Sequence, residues 1–247
     1  MVPIKSEKDL EMMRSSGRIL SSVLRDLERA VKPGMSTLQI DKLAENLTRK
    51  QNALPAFKGY RGFPASVCTS VNEEIVHGIP GERTLVEGDI LSLDLGINLD
   101  GYFTDAATTL AIGRIDAKKR KLLEVTKKSL EIGIREARVN NHLFDISYSI
   151  QNYVERNGFS VVRQFVGHGI GLDLHEEPEV PNFGRPHAGE LLKNGMVLAI
   201  EPMVNMGGWE CEILDNGWTA VTKDRLPSAH FEHTVAITDK GPEILTK

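Results

Sequence analysis

Four acidic residues lie inside segments of the chain that otherwise have the apolar character of β-strands. Asp94 and Asp105 occur in two such segments on either side of a turn-forming stretch, and Glu201 and Glu232 occur in two more near the end of the chain. A carboxylate buried in apolar surroundings is strongly disfavoured unless it is protonated, paired or bound to a cation. Each acid alone is explained by a solvent-facing position, but four together indicate a fold whose strands converge on one charged site.

The first two acids are predicted to share one face of a β-hairpin. With the turn at 98–101, Asp94 and Asp105 stand directly opposite each other, which brings their Cβ atoms to about 4.5–5.5 Å. Two carboxylates at that distance favour a bound cation or a shared proton. The alternatives are an exposed aspartate, or a turn whose register differs by two residues.

Three histidines follow apolar segments or lie in loops. His168 lies within the glycine-rich stretch 167–171, where missing side chains let a ligand approach the backbone. His175 follows seven residues later, and His77 lies in another loop. The glycine pattern is not a dinucleotide-binding motif, because no helix pattern follows it. For each histidine alone, a surface or structural role is the common alternative.

The combined set of acids and histidines has the chemistry of a metal site. Carboxylate-rich ligation without thiolates suits manganese, iron or cobalt, with zinc as a further candidate. Four carboxylates exceed the needs of one ion and match two metals about 3.5–4 Å apart that share an activated water. The chain contains no glycine-rich phosphate-binding motif and no GxSxG motif. The residues therefore predict a metal-dependent hydrolase that acts on a carbonyl or phosphoryl centre.

The order of predicted elements repeats along the chain. Helices are expected from the N-cap Ser6 to the Lys-Pro-Gly stop at 32–34, and from the capping box at 36–39. Two more helices and a second set of strands follow, offset by 106–107 residues in corresponding features. We expect one catalytic domain over 1–247 with duplicated halves of about 1–115 and 116–247, and a site where they meet. Predicted later elements are the helices 118–137 and 143–156 and the strands 66–70, 89–97, 102–112, 159–166, 195–205, 209–214, 218–222 and 229–238.

Composition narrows the classes of partner and compartment. A net charge of −4 argues against nucleic acid or an anionic membrane as the main partner. Cys68 and Cys211 lack the number and spacing of a disulfide framework or a cysteine-based zinc site. The chain shows neither a secretory signal pattern nor an apolar run of the roughly 20 residues that span a membrane. We therefore expect a cytoplasmic protein.

The ordered motifs resemble those of the type I methionine aminopeptidases, the bacterial and organellar class. The resemblance covers essentially the whole chain and rests on the two aspartates and five motifs: His77-Gly-Ile-Pro80, Gly167-His-Gly-Ile-Gly171, His175-Glu-Glu-Pro178, Ile200-Glu-Pro-Met203 and Glu232-His-Thr-Val-Ala-Ile237. It implies an α+β pita-bread fold of the creatinase/aminopeptidase type. In that fold, two pseudo-twofold-related halves hold a dinuclear metal centre on a central, curved antiparallel sheet.

The resemblance also implies how the ligands divide between two divalent metal ions. Asp94 is expected on one metal and His168 and Glu201 on the other, with Asp105 and Glu232 bridging both. The implied substrate is a peptide or nascent chain that begins with Met followed by a small residue. A hydroxide that bridges the metals would attack the scissile carbonyl and release the methionine.

Three side chains are implied in catalysis. Glu201 would transfer the proton, His175 would hydrogen-bond the carbonyl oxygen and the developing oxyanion, and His77 would position the scissile amide. Phe63 and Leu174 stand where relatives often carry Tyr and Phe, so the shape of the methionine pocket is left open. The implied pocket residues are Tyr60, Phe63, Cys68, His77, Leu174 and Trp218.

Other functions remain as alternatives. A prolidase or Xaa-Pro aminopeptidase of the same fold is the nearest one, although such enzymes usually carry an additional N-terminal domain for which this chain is too short. A metal-free binding module is the alternative outside the enzymes, and the filled ligand positions argue against it. The basic clusters at 118–121 and at Lys223 and Arg225 are consistent with docking to ribosomal RNA, or simply with a solvated helix end and loop. We expect a monomer that binds neither DNA nor membranes.

Overall fold

The computed structural model describes residues 2–247, and two capped helices open the fold. In the first, the Ser6 hydroxyl accepts the N–H of Asp9 while the Asp9 carboxylate accepts the N–H of Ser6. The second begins with the same reciprocal arrangement between Ser36 and Gln39. These pairs satisfy N–H groups that a helix start leaves free, and both predicted helix starts are confirmed.

Two helices and a set of strands are followed along the chain by two more helices and a second set of strands. A 3₁₀ turn at Tyr60–Gly62 precedes the second strand. The helices are α1 (Glu7–Ala30), α2 (Thr37–Lys50), α3 (Ala117–Glu136) and α4 (Leu143–Arg156). The strands are β1 (Leu54–Pro55), β2 (Cys68–Val71), β3 (Glu74–Val76), β4 (Ile90–Leu99), β5 (Tyr102–Ala111), β6 (Ser160–Val161), β7 (Gly167–Gly169), β8 (Glu176–Val180), β9 (Val197–Ile200), β10 (Met203–Asn205), β11 (Cys211–Ile213), β12 (Ala220–Thr222), β13 (Ser228–His230), β14 (His233–Thr238) and β15 (Gly241–Ile244).

The strands form four antiparallel sheets. In the first, β4 pairs with β1, β2 and β5, and in the largest the order is β15-β14-β9-β7-β8. Two three-stranded sheets, β13-β10-β6 and β11-β12-β3, complete the set. The helices α1 and α2 pack on strands among β1 to β5, and α3 and α4 pack on later strands. One apolar cluster, including Leu20, Leu27 and Leu93, lies under α1 and α2, and another, including Ile150 and Leu198, lies under α3 and α4.

The central hairpin has a tighter turn than the sequence predicted. β4 and β5 are joined by two residues, 100–101, which both have left-handed backbone conformations, as tight hairpin turns require. Asp94 therefore pairs with Ala107, and Asp105 pairs with Gly96. The prediction that the aspartates stand directly opposite each other is wrong by two residues. They still share one face, as diagonal neighbours.

The glutamates Glu201 and Glu232 lie at the two points where the chain passes from one sheet to another. Glu201 lies between β9 and β10, and Glu232 lies between β13 and β14. Because β9 pairs with β14 while β10 pairs with β13, each chain segment leaves one sheet and enters another at its glutamate. The predicted continuous strands 195–205 and 229–238 are wrong at these points. Pro202 has no N–H with which to continue the first ladder.

Threonine hydroxyls join β5 to the second half of the chain. Thr234 Oγ1 accepts the N–H of Asp105 at 2.9 Å and donates to the Asp105 carbonyl oxygen at 2.7 Å. Thr109 Oγ1 makes the same two contacts with the backbone of His230, at 2.9 and 2.7 Å. Between them, the N–H of Glu232 donates to a β5 carbonyl. These contacts fix the acidic face of the hairpin against the glutamate-bearing segment.

None of the helices within residues 2–247 combines the length and the apolar character that crossing a membrane demands.

Candidate metal centre

The five predicted ligands converge where the β4–β5 hairpin meets later segments of the chain. Asp105, His168 and Glu232 each present a ligand atom, and these atoms lie within 4.8 Å of one another. Glu201 Oε1 lies 3.7 Å from His168 Nε2, and Asp94 shares the face of Asp105. All five line the same cavity.

The carboxylates of this cluster are buried without compensating partners. Among residues 2–247, Oδ1 of Asp94, Oδ1 of Asp105 and Oε1 of Glu232 accept no hydrogen bond. Burial and then the neighbouring carboxylates raise the pKa of Asp94, Glu201 and Glu232, and burial raises the pKa of Asp105 to about 7. Divalent cations would take up these lone pairs and remove the repulsion. The donor set and its unsatisfied oxygens therefore fit a metal centre.

The imidazole of His168 is held as the neutral Nδ1–H form. Its Nδ1 lies 2.8 Å from the carbonyl oxygen of Gly169, and since a carbonyl only accepts, Nδ1 carries the proton. Burial lowers the pKa of His168 to about 4, which leaves Nε2 with a free lone pair at neutral pH. The predicted strand over 159–166 is reduced to β6, and His168 lies on β7, where it pairs with Ala199.

Two further histidines lie at the edge of the cluster. The ring centroid of His175 is 4.1 Å from that of His168, and its Nδ1 is 3.0 Å from the hydroxyl oxygen of Tyr60. His77 has a left-handed backbone, with φ at 59°, and its ring packs edge-on to Trp218. Such strained positions in non-glycine residues concentrate at functional sites. Desolvation lowers the pKa of both His77 and His175, so both rings are neutral at pH 7.

An apolar cavity opens beside the carboxylates. Phe63 and Trp218 meet edge to face, with ring centroids 5.2 Å apart, and Phe63, Cys68 and Leu174 are buried. Phe57 adds a further wall. A slot with these walls suits a flexible, unbranched apolar side chain. The structure places around this cavity every side chain predicted for the methionine pocket: Tyr60, Phe63, Cys68, His77, Leu174 and Trp218.

Two polar residues of the site were not predicted from the sequence. Arg61 lines the cavity with its guanidinium carbon 5.3 Å from the centroid of the Tyr60 ring. His230 is 1% exposed, and its Nε2 lies 3.3 Å from Glu201 Oε2. Neither ring nitrogen of His230 has a hydrogen-bond partner within residues 2–247. The sequence signal that points to His230 is its position two residues before Glu232, within the segment predicted as one strand.

A second group of potential ligands lies at the start of α4. His142, Asp145 and His187 bring ligand atoms within 4.8 Å of one another. However, the two oxygens of Asp145 already accept the backbone N–H groups of His142 and His187, at 2.8 and 2.7 Å. The positive end of the helix dipole also disfavours a cation there. This cluster is a helix cap that ties down a loop.

The buried carboxylates with unsatisfied oxygens, the neutral histidines and the adjoining apolar cavity together define a metal-dependent hydrolase. The chain belongs to metallopeptidase family M24, whose sequence profile matches residues 11–239. Membership in a metallopeptidase family implies bound divalent metal ions.

Individual relatives agree with this assignment. The chain is 55% identical to the methionine aminopeptidase of Clostridium acetobutylicum over 247 residues, which covers 100% of this chain and 99% of the relative. The crystal structure of methionine aminopeptidase from Rickettsia prowazekii superposes with a TM-score of 0.99 at 39% identity, with 100% of both chains covered. The resemblance to methionine aminopeptidases found in the motifs is confirmed.

A more distant structure shows how widely the fold is shared. A prolidase from Pyrococcus furiosus superposes with a TM-score of 0.81 at 21% identity. The superposed region includes 99% of this chain and 65% of the prolidase. At that identity the likeness concerns the fold alone. The predicted α+β pita-bread fold is confirmed.

Proposed function

We propose that this chain hydrolytically removes the N-terminal methionine from peptides and nascent proteins whose second residue is small. The observation that carries the proposal is the aromatic, apolar cavity directly beside the buried carboxylate–histidine cluster. The likeness to methionine aminopeptidases over the full chain supports the same activity. A proline-specific activity has only the shared fold in its favour.

Two divalent ions are proposed as cofactors, with manganese, iron and cobalt as the first candidates and zinc as a fourth. Asp94 would hold one ion, His168 and Glu201 would hold the other, and Asp105 and Glu232 would contact both. When bound, such ions polarise a carbonyl group and make water acidic enough to react near neutral pH.

The chain's own groups would then orient the substrate and move the proton. Glu201, buried beside His168 and His230, would accept the proton released by the attacking water and deliver it to the departing amine. His175 would donate a hydrogen bond to the carbonyl oxygen, where negative charge develops. His77 would hold the scissile amide at the mouth of the cavity.

The methionine pocket and the metal centre share a wall. Cys68 on β2 pairs with Asp94 on β4, so the apolar lining continues directly into the acidic face. A methionine side chain seated against Phe63 and Trp218 would therefore bring its own amino and carbonyl groups to the carboxylate cluster. This adjacency supports selection of the first residue by side-chain shape.

Two peptides distinguish the candidate activities. The metal-reconstituted protein is expected to release methionine from a Met-Ala-containing peptide and to leave an X-Pro peptide largely intact. A preference for the X-Pro peptide would replace this proposal with a proline-specific one. Failure of manganese, iron and cobalt alike to stimulate cleavage of either peptide would favour a metal-free binding module.

We also propose a monomer with one catalytic domain over 1–247, built from halves of about 1–115 and 116–247, that acts in the cytoplasm. The separate packing of α1 with α2 and of α3 with α4 supports the division into halves. Cys68 and Cys211 are both free thiols, which suits a reducing compartment.

Docking to the ribosome remains a prediction. In the cluster at 118–121, the ammonium groups of Lys119 and Lys121 donate to backbone carbonyls nearby. Arg225 pairs with Glu212. Lys118, Arg120 and Lys223 are the exposed basic residues that these contacts leave for an anionic partner.

A further inference from the structure

Tyr60 contacts His175 in two ways. Its hydroxyl oxygen lies 3.0 Å from His175 Nδ1, and the two rings stack with centroids 5.2 Å apart and planes inclined by 19°. Within residues 2–247 the Tyr60 hydroxyl makes no other hydrogen bond. The phenol is therefore dedicated to one imidazole nitrogen.

The direction of this hydrogen bond decides what His175 can do. A neutral imidazole carries one proton, on either Nδ1 or Nε2, whereas a tyrosine hydroxyl can donate or accept. If Nδ1 donated to Tyr60, Nε2 would carry no proton and would be unable to donate to a substrate carbonyl. If Tyr60 donates to Nδ1, the proton of the ring lies on Nε2.

Arg61 favours the second direction. Its guanidinium carbon lies 5.3 Å from the Tyr60 ring centroid, and the residue holds this place with a left-handed backbone at φ 48°. A hydroxyl that donates places extra negative charge on its oxygen. A nearby cation stabilises that charge and so strengthens the phenol as a donor.

We propose that the Tyr60 hydroxyl is a positioning group that holds His175 as the Nε2–H tautomer, ready to donate to the scissile carbonyl. This inference rests on the proposed function for the role of His175. It separates two contributions of one side chain. The Tyr60 ring forms a wall of the methionine pocket, and the hydroxyl acts on turnover through His175.

The variant Tyr60→Phe separates these contributions because it keeps the ring, the stacking and the cavity wall. On a Met-Ala peptide, the metal-loaded full chain is expected to lose about tenfold in kcat, the effect of one hydrogen bond of ordinary strength, with KM changed by less than about twofold. Tyr148→Phe removes a hydroxyl on the exposed face of α4 and should leave both constants unchanged. Unchanged kcat in Tyr60→Phe would overturn the proposal, as would a loss confined to KM.

The tautomer itself provides a readout that does not depend on catalysis. In zinc-loaded protein labelled with ¹⁵N-histidine, wild-type His175 should show a proton on Nε2 and none on Nδ1, with His175→Gln used to assign its signals. Tyr60→Phe should lose this single tautomer. A wild-type ring protonated on Nδ1 would contradict the proposal. If wild-type protein instead shows the expected tautomer but fails to cleave Met peptides, the proposed function fails while the Tyr60–His175 contact stands.

Discussion

Asp94 and Asp105 are diagonal neighbours on one face of the central hairpin, since Asp94 pairs with Ala107 and Asp105 pairs with Gly96. The Cα atoms of diagonal neighbours are about 7–8 Å apart, and the two carboxyl groups come close enough to share a hydrogen bond. A side chain at Gly96, the residue that pairs with Asp105, would collide with the Phe57 ring, so the bare backbone there leaves room for this wall of the cavity.

Asp105→Ala is expected to abolish metal-dependent activity, because three carboxylates would remain to neutralise two ions. Elemental analysis of the purified variant should show lost metal, while circular dichroism shows retained helix content. Asp239→Ala, at an exposed position in the last hairpin, is the matched control and should retain both metal and activity. Near-normal activity of Asp105→Ala would contradict the dinuclear assignment.

Metal removal should destabilise the protein more at pH 8 than at pH 5.5. Burial raises the pKa of Asp105 to about 7, and burial and neighbouring carboxylates raise those of Asp94, Glu201 and Glu232. The folded metal-free state then binds protons more tightly than the unfolded chain, whose carboxyls titrate near about 4. The stabilising contribution is therefore complete below about pH 4 and is lost as the pH rises through the raised pKa values, about 7 for Asp105.

Thermal unfolding of chelator-treated and metal-loaded protein measures this effect. The gap between the two melting temperatures should widen from pH 5.5 to pH 8, by about 2–4 °C for each kcal/mol in a domain of this size. A gap that is constant or narrower at pH 8 would show that the pKa values of these carboxyl groups are not raised in the metal-free folded state.

His175→Ala is expected to retain metal and to lose turnover by about 10²–10³-fold, the usual effect of removing one donor to a developing oxyanion. His187→Ala, which removes an exposed imidazole at the start of α4, should leave turnover unchanged. Metal content and kcat measured together test the assignment. Loss of bound metal from His175→Ala would make His175 a ligand rather than a hydrogen-bond donor.

His230→Leu should lower activity without lowering stability. The ring of His230 is buried with two unsatisfied nitrogens, so an apolar side chain of similar size is expected to be neutral or stabilising. Glu201 would lose its polar neighbour at 3.3 Å, and we expect a loss of about tenfold in kcat, equivalent to about 1.4 kcal/mol. His230→Gln, which keeps an N–H donor, should recover most of the activity. A stability loss that parallels the activity loss would reduce His230 to a packing role.

Charge reversal at Lys118, Arg120 and Lys223 tests the docking prediction. All three residues are exposed. At low salt, where electrostatic contacts are least screened, less of the charge-reversed protein than of the wild type should co-sediment with ribosomes. Peptide cleavage serves as the control for folding. Unchanged co-sedimentation would remove the docking hypothesis.

Much of this architecture follows from local sequence patterns. The N-cap Ser6 and the capping box at 36–39 predicted the starts of α1 and α2, because their hydrogen bonds involve only residues three apart. The four buried acids identified the site because their cost in an apolar strand is a property of the residue and its immediate neighbours. The grouping of the predicted ligands around one cavity required, in addition, the family resemblance of whole motifs.

The rest depends on contacts between distant segments. The two-residue hairpin turn shifted the pairing of Asp94 and Asp105, since Asn98 and Leu99 continue the strand where turn propensity favoured a loop. The breaks at Glu201 and Glu232 arise because β9 and β10 pair with different sheets. Arg61 escaped notice because its position depends on a left-handed backbone conformation, for which a single arginine gives no signal.

The threonine contacts between β5 and the 230–234 segment have a consequence for how the protein ages in solution. Asp94 and Asp105 lie on one side of that junction and Glu201 and Glu232 on the other. A slight separation there would disperse the proposed ligands, while α1 with α2 and α3 with α4 would keep their own apolar clusters. Metal loss would then precede any visible change in secondary structure. A preparation that has lost its activity can thus retain full helix content, and its metal-to-protein ratio is the earlier indicator of damage.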